Sequence, residues 1–212
     1  SDLIKSQAGA KLKSEVTPDF VYDTRDNVFL TRRGHRIIVT PHIAGGFLGG
    51  VVQTYGADIR ATQYFPLPLD NIIFVDGEVA VVDTWGSGNE VPIFDRLFLG
   101  GSNDLRGFDY RDVSPRDSNG EPIGGKTLAR ITVEETFPIL PNNKVRFATF
   151  FDAGMVNLGA YDFNTSQLAS DVGIGLRLDL PIGPLRIDYG IPIQGKQFGS
   201  GGHFNFNVGY QF

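Results

Sequence analysis

Three sets of residues in this chain have types and spacings that could do chemistry. The first is "GIPIQGKQ" at 190–197, which has the GxxxxGK skeleton of a phosphate-cradling loop. Such a loop needs a Ser or Thr after its Lys to hold magnesium, and a helix N-terminus to receive the phosphates. Here Gln197 follows Lys196, Pro192 interrupts the loop, and strand-like sequence comes next, so nucleotide binding is rejected. "GGFLGG" at 45–50 reads as a hairpin connection. The second set is His35, His42 and His203, which lack zinc-ligand spacing in a chain with no cysteine, so no metal and no cofactor is expected. The third is a large population of carboxylates interleaved with arginines. With no nucleophile elbow or triad motif beside them, these read as ion pairs, and no enzymatic activity is expected.

The elements that must position those charges have a period of two. Nine candidate strands alternate apolar and polar residues: about 19–26, 36–44, 51–65, 72–83, 128–137, 145–156, 171–180, 185–191 and 203–212. In the third, Tyr55, Ala57, Ile59, Ala61 and Phe65 oppose Thr54, Asp58, Arg60, Thr62 and Tyr64. In the seventh, Val172, Ile174, Leu176, Leu178 and Leu180 oppose Asp171, Gly173, Gly175, Arg177 and Asp179, a pattern that no helix produces. Tight connections such as "PLPLDN", "LPNN" and "PIG" contrast with longer ones at 157–170 and 194–202. One Gly, Asp, Asn and Pro rich segment, 84–126, is too long for an ordinary hairpin. No internal repeat or domain boundary appears, and 1–212 reads as a single unit.

Composition agrees with an all-β chain, with 27 Gly and 17 Phe against a single Met in 212 residues. A formal charge of -5 with no basic run argues against nucleic acid as a partner. No stretch approaches the roughly 20 apolar residues of a transmembrane helix. Membrane-spanning strands need only about 9–11 alternating residues, and a mean hydropathy close to zero is compatible with them.

Two media could touch the apolar face. In a soluble sandwich or lipid-binding barrel it would line a shared core; in a membrane barrel it would meet lipid, with the charged face turned to the lumen. Three features favour lipid. Aromatics gather near strand ends, as in Tyr64, Phe65, Phe137, Tyr189, Tyr210 and Phe212, where an interfacial girdle would sit. The polar face mixes both signs (Asp58 and Arg60, Arg130 and Glu134, Arg146 and Asp152, Arg177 and Asp179, Arg186 and Asp188), as a crowded interior would. The chain also ends "FNFNVGYQF", with Phe204, Phe206, Val208, Tyr210 and Phe212 on one face, like the terminal signal strand of a bacterial outer-membrane protein.

Four ordered stretches carry a family likeness: "FLGGSNDLRGFDYRDVSPRD" at 98–117, then "GEPIGGKTLARITVEETFP", "VRFATFFDAG" at 145–154 and "GIGLRLDLPIGPLRIDYG" at 173–190. Together with "YDTRDN" at 22–27, they make the chain resemble the BamA family over about 19–212. The barrels of that family insert and fold other proteins into the bacterial outer membrane. "LRGF" resembles the tip of that family's long sixth extracellular loop. The resemblance implies that the 84–126 loop folds inward and that Arg106, Gly107 and Phe108 tether it to the wall. It further implies an outer-membrane location, membrane lipid and unfolded outer-membrane protein clients as partners, and accessory assembly lipoproteins in the complete complex. The strand motif is Phe151, Ala153 and Gly154, and Glu134 and Asp152 are the acidic partners. Alternation supports the same pairing: Arg130, Thr132 and Glu134 share a face, as do Arg146, Phe150, Asp152 and Gly154. Two lumen carboxylates would repel each other unless joined by a cation, and Arg106 is a forked donor on a loop long enough to reach them. Gly107 would let the loop turn where a side chain would clash, and Phe108 would pack against the wall.

The alternatives are a two-partner secretion pore or patatin-like barrel of the same superfamily, and a passive porin. The family barrel has about sixteen antiparallel transmembrane strands, so nine correspond to its C-terminal part. Such a segment is expected to close as a small barrel with help from 11–16, to pair with a second copy, or to require the rest of the barrel.

Overall fold

The computed structural model describes residues 12–28, 30–86, 90–140, 144–180 and 183–208. Among them the period-2 segments form ten strands and no α-helix: β1 (Glu15–Val16), β2 (Phe20–Asp23), β3 (Gly34–Ala44), β4 (Thr54–Pro66), β5 (Ile72–Thr84), β6 (Thr127–Pro138), β7 (Val145–Asn157), β8 (Ala169–Leu180), β9 (Gly183–Gln194) and β10 (His203–Val208). All nine expected strands are present, and the tenth is the short β1 within 11–16.

From β3 to β10 each strand pairs antiparallel with the next in sequence, as hairpin connections favour. β1 and β2 share one edge of β3, at Ile43–Ala44 and at Arg36–Val39, with Pro18 between them where a proline removes a ladder donor. The opposite edge is β10, which pairs with β9 alone, so the described residues form an open sheet. Short turns join β4 to β5, β6 to β7 and β8 to β9 at one end; longer connections lie at the other.

The two faces separate by parity. Ile59, Ile131, Val133, Val172, Ile174, Ile191, Phe204 and Phe206 point outward and are exposed, Ile174 by 53% and Phe204 by 69%. Thr54, Asp76, Arg130, Glu134, Arg146, Asp152 and Asp188 point inward and are buried. A soluble protein that reversed its polarity over so many strands would expose far more apolar surface than monomers tolerate. Tyr64 departs from the expected girdle: it sits on the inner face in register with Phe74, its ring centroid 5.6 Å from that ring. Phe137 and Phe147 remain outward at the short-turn end, with centroids 6.3 Å apart.

The long loop, 85–126, covers the inner face. Leu99, Leu105, Phe108 and Val113 of the loop pack with Ala80, Leu128, Val156, Ala169 and Phe198 in one buried cluster, so apolar loop side chains fill the long-loop half of the interior. Burying this cluster offsets the entropy of ordering so long a segment. Ile174→Arg in the full-length protein is expected to lower the unfolding free energy in lipid vesicles by about 2–4 kcal/mol, as for a cation at the bilayer midplane. Urea titration checks it, and an unchanged midpoint would place this face in water.

Candidate functional site

The loop tip brings Arg106 under the inner wall, where its side chain is 3% exposed. Its Nε donates to Asp152 Oδ2 at 2.7 Å and its Nη2 to Asp152 Oδ1 at 2.9 Å, a two-pronged contact suited to the guanidinium fork. Its Nη1 donates to Glu134 Oε2 at 2.6 Å and lies 3.7 Å from Asp188 Oδ2. The backbone N–H of Arg106 also donates to Asp152 Oδ2, at 3.3 Å. Antiparallel register explains the meeting. Thr132 of β6 opposes Asp152 of β7, with Glu134 two residues along β6 on the same face.

Further residues complete the network. Thr132 Oγ1 donates to Asp152 at 2.8 Å. Arg177 grips Glu134 through Nε at 2.8 Å and Nη2 at 2.6 Å, and reaches Asp188 with Nη1 at 2.7 Å. Arg186 Nε lies 3.2 Å from the other Asp188 oxygen. Three arginines thus face Asp152, Glu134 and Asp188, and Asp171, buried and opposite Asp152 in register, is a fourth carboxylate beside them, in a space where an unmatched ion would be costly. The guanidinium carbon of Arg106 sits 3.4 Å above the centroid of Phe150, whose ring fits beside Gly173; a Cβ at that glycine would stand 2.2 Å from Phe150 Cζ.

Gly107 and Gly190 allow backbone to lie on wall. A Cβ on Gly107 would stand 2.5 Å from Asp171 Cβ, and one on Gly190 would stand 2.7 Å from the Arg106 carbonyl carbon and the Gly107 nitrogen. Gly107 has no left-handed φ, so its glycine supplies room rather than a special turn. Phe108 is 1% exposed within the apolar cluster. Of the strand motif, Gly154 lies beneath Leu99, Phe151 points outward, and Ala153 is shielded at an outward register position opposite Ile131. Phe204, Phe206 and Val208 line the exposed face of β10; Tyr210 and Phe212 lie outside the described residues.

A second cluster holds the loop nearer β5. Arg130 donates to Asp76 at 2.8 Å and Glu78 at 2.7 Å and lies 3.5 Å from Asp104 of the loop, while Arg60 donates to Asp76 at 3.0 Å. Arg130, Glu134, Arg146 and Asp152 share the inner face as alternation predicts; within it Arg130 reaches across to β5, and Arg146 donates to the Thr136 hydroxyl and carbonyl and the Asp70 carbonyl. Arg177, Asp188, Thr132 and Phe150 were not singled out as tether residues, although their inward parity was the signal available. Among the described residues no cluster of His, Cys, Asp and Glu is arranged to hold a metal ion.

The Omp85 superfamily domain model matches residues 1–212. The chain belongs to the Omp85 superfamily. It is 29% identical over 99% of its length to the outer membrane protein assembly factor BamA of Nitratidesulfovibrio vulgaris, and 28% identical over 88% to that of Neisseria meningitidis. It is also 32% identical over 58% of its length to the human sorting and assembly machinery component 50 homolog. It spans about a quarter of these relatives, 27%, 27% and 26% respectively. The crystal structure of BamA from Haemophilus ducreyi lacking POTRA domains 1–3 superposes with a TM-score of 0.80 at 22% identity, over 93% of this chain and 42% of that one, which establishes the fold. This Omp85 chain is therefore part of an outer-membrane β-barrel.

Two outcomes follow. Arg106→Ala leaves buried carboxylates unmatched and is expected to lower stability by about 3–5 kcal/mol, read as a lost or shifted heat-modifiable band on gels of the full-length protein. Burial, outweighing the attraction of Arg130 and Arg60, pushes the Asp104 carboxyl up to about 6 from 3.8. The folded state then takes up this proton before the unfolded one, so the loop gains stability as pH falls from about 6 to about 4. Asp104→Asn should remove that gain from a series of urea midpoints.

Proposed function

We propose that this chain is the C-terminal barrel portion of a factor that inserts and folds β-barrel proteins in the bacterial outer membrane. The observation that carries the proposal is the combination of a tethered interior loop with the edge of β10, which has no second neighbour among the described residues. β10 offers a row of backbone donors and acceptors on its outer edge. An unfolded outer-membrane client supplies a strand to such an edge, and the main-chain hydrogen bonds are strongest where water is scarce. Membrane lipid contacts the aromatic side of β10. Accessory assembly lipoproteins belong to the same proposal through the family alone.

The plugged long-loop half of the interior argues against a passive porin, because Phe108, Leu105 and Leu99 occupy space that an aqueous channel would need there. The names of the relatives, assembly factor and assembly machinery, favour insertion over a secretion pore.

The test is client folding by the full-length protein in proteoliposomes, scored as protease-protected barrel. Phe206→Pro removes a donor from the outer edge of β10 and leaves Asn205 and Asn207 in place; it is expected to cut the initial rate about tenfold or more, with the heat-modifiable band retained. Undiminished client folding would mean that this edge is not where clients pair.

A further inference from the structure

The inner face of β10 alternates with its aromatic face and carries His203, Asn205 and Asn207. Each of these meets one residue of the loop tip. Asn207 Nδ2 donates to Asn103 Oδ1 at 2.9 Å, Asn205 Nδ2 donates to the Arg106 carbonyl at 2.8 Å, and His203 Nδ1 lies 3.2 Å from Asp109 Oδ1. The partners descend, 109, 106, 103, as the strand ascends, 203, 205, 207, so the tip runs antiparallel along the strand as a rung-by-rung polar ladder. The neighbouring strand joins in: Arg186 Nη2 donates to the Ser102 carbonyl, and Gly190 admits the Arg106–Gly107 peptide against the wall.

We infer that the loop tip is an inner clamp on the terminal strand, with Asn205 and Asn207 as positioning residues that couple the Arg106 network to the strand edge. Among the described residues β10 has six in register with β9 and no second neighbour. An edge strand held on one side frays readily, since its backbone bonds face solvent or lipid and few contacts oppose opening. The ladder adds a second support, from inside. It pulls on side chains and leaves the outer backbone edge free to pair. Because one residue, Arg106, both donates its backbone N–H to Asp152 and accepts from Asn205 through its carbonyl, loosening the buried ion network loosens the strand. The terminal strand is therefore presented at a set position when the loop is seated, and released when it is not. The use of that coupling in client pairing rests on the proposed function; the clamp itself does not.

Hydrogen–deuterium exchange of the full-length protein in vesicles of outer-membrane lipid separates the two. In Asn205→Leu/Asn207→Leu, exchange at 203–208 is expected to rise about tenfold while β6 and β7 keep their protection. Arg106→Lys, which retains the charge but loses the fork, should raise it similarly. Combining all three changes should add little beyond either, as members of one linkage do. If the double variant fails to give the heat-modifiable band, Asn207→Ala alone, at an exposed rung, carries the test with a smaller rise. Unchanged exchange at 203–208 in the Asn variants overturns the clamp, as does a rise at 102–109 in Arg106→Lys that leaves 203–208 untouched. Loss of client folding with normal exchange would instead count against strand release as its purpose and leave the insertion reading to its own test.

Discussion

The structure turns on a guanidinium that cannot be left alone. Arg106 is carried by a loop to a buried position on the inner wall, where an isolated charge would be costly, and where Asp152 and Glu134 would be equally so without it. Each member is stable only in the presence of the others, so loop position and wall register specify one another. Such a network is weak evidence of net stability, since apolar replacement of every member would do as well. What it supplies is uniqueness: a long loop with few regular hydrogen bonds has one seat.

The two faces of the sheet obey one rule in two media. Outward, branched aliphatics and rings meet hydrocarbon, which rewards neither charge nor an open backbone edge. Inward, arginines and carboxylates of β5 to β9 meet each other and the loop, with an apolar cluster nearer the long-loop end and ion pairs deeper in. The terminal strand belongs to both, with Phe204, Phe206 and Val208 toward lipid and His203, Asn205 and Asn207 toward the loop. Its remaining edge is the place where a further strand can add.

The strands and their faces were legible in the sequence because period-2 alternation is a local signal. It survives even where glycines take two of the alternate positions, Gly173 and Gly175 in 171–180. Parity put Glu134 and Asp152 on one side, whereas Arg106 as the residue that joins them rested on the family resemblance of the loop-tip motif. Which charges pair was not legible. Arg130 and Glu134 are neighbours along one strand, yet Arg130 reaches Asp76 and Glu78, because register across strands decides distance and is set by turn geometry. Tyr64 was misplaced among the girdle aromatics because nearness to a strand end says nothing about face. The space-making roles of Gly173 and Gly190, and the ladder along β10, depend on how an aperiodic loop comes to rest, for which sequence carries no period.

The most direct test is a thermodynamic cycle on the buried pair in the full-length protein in lipid, with Arg106→Leu, Asp152→Leu and both together. Removing both partners should destabilise less than the two single effects summed, with a coupling of about 2 kcal/mol or more, because the second change relieves a stranded charge. Additive effects within about 0.5 kcal/mol would mean that the loop tip is not held by this contact and that the account of how it seats is wrong.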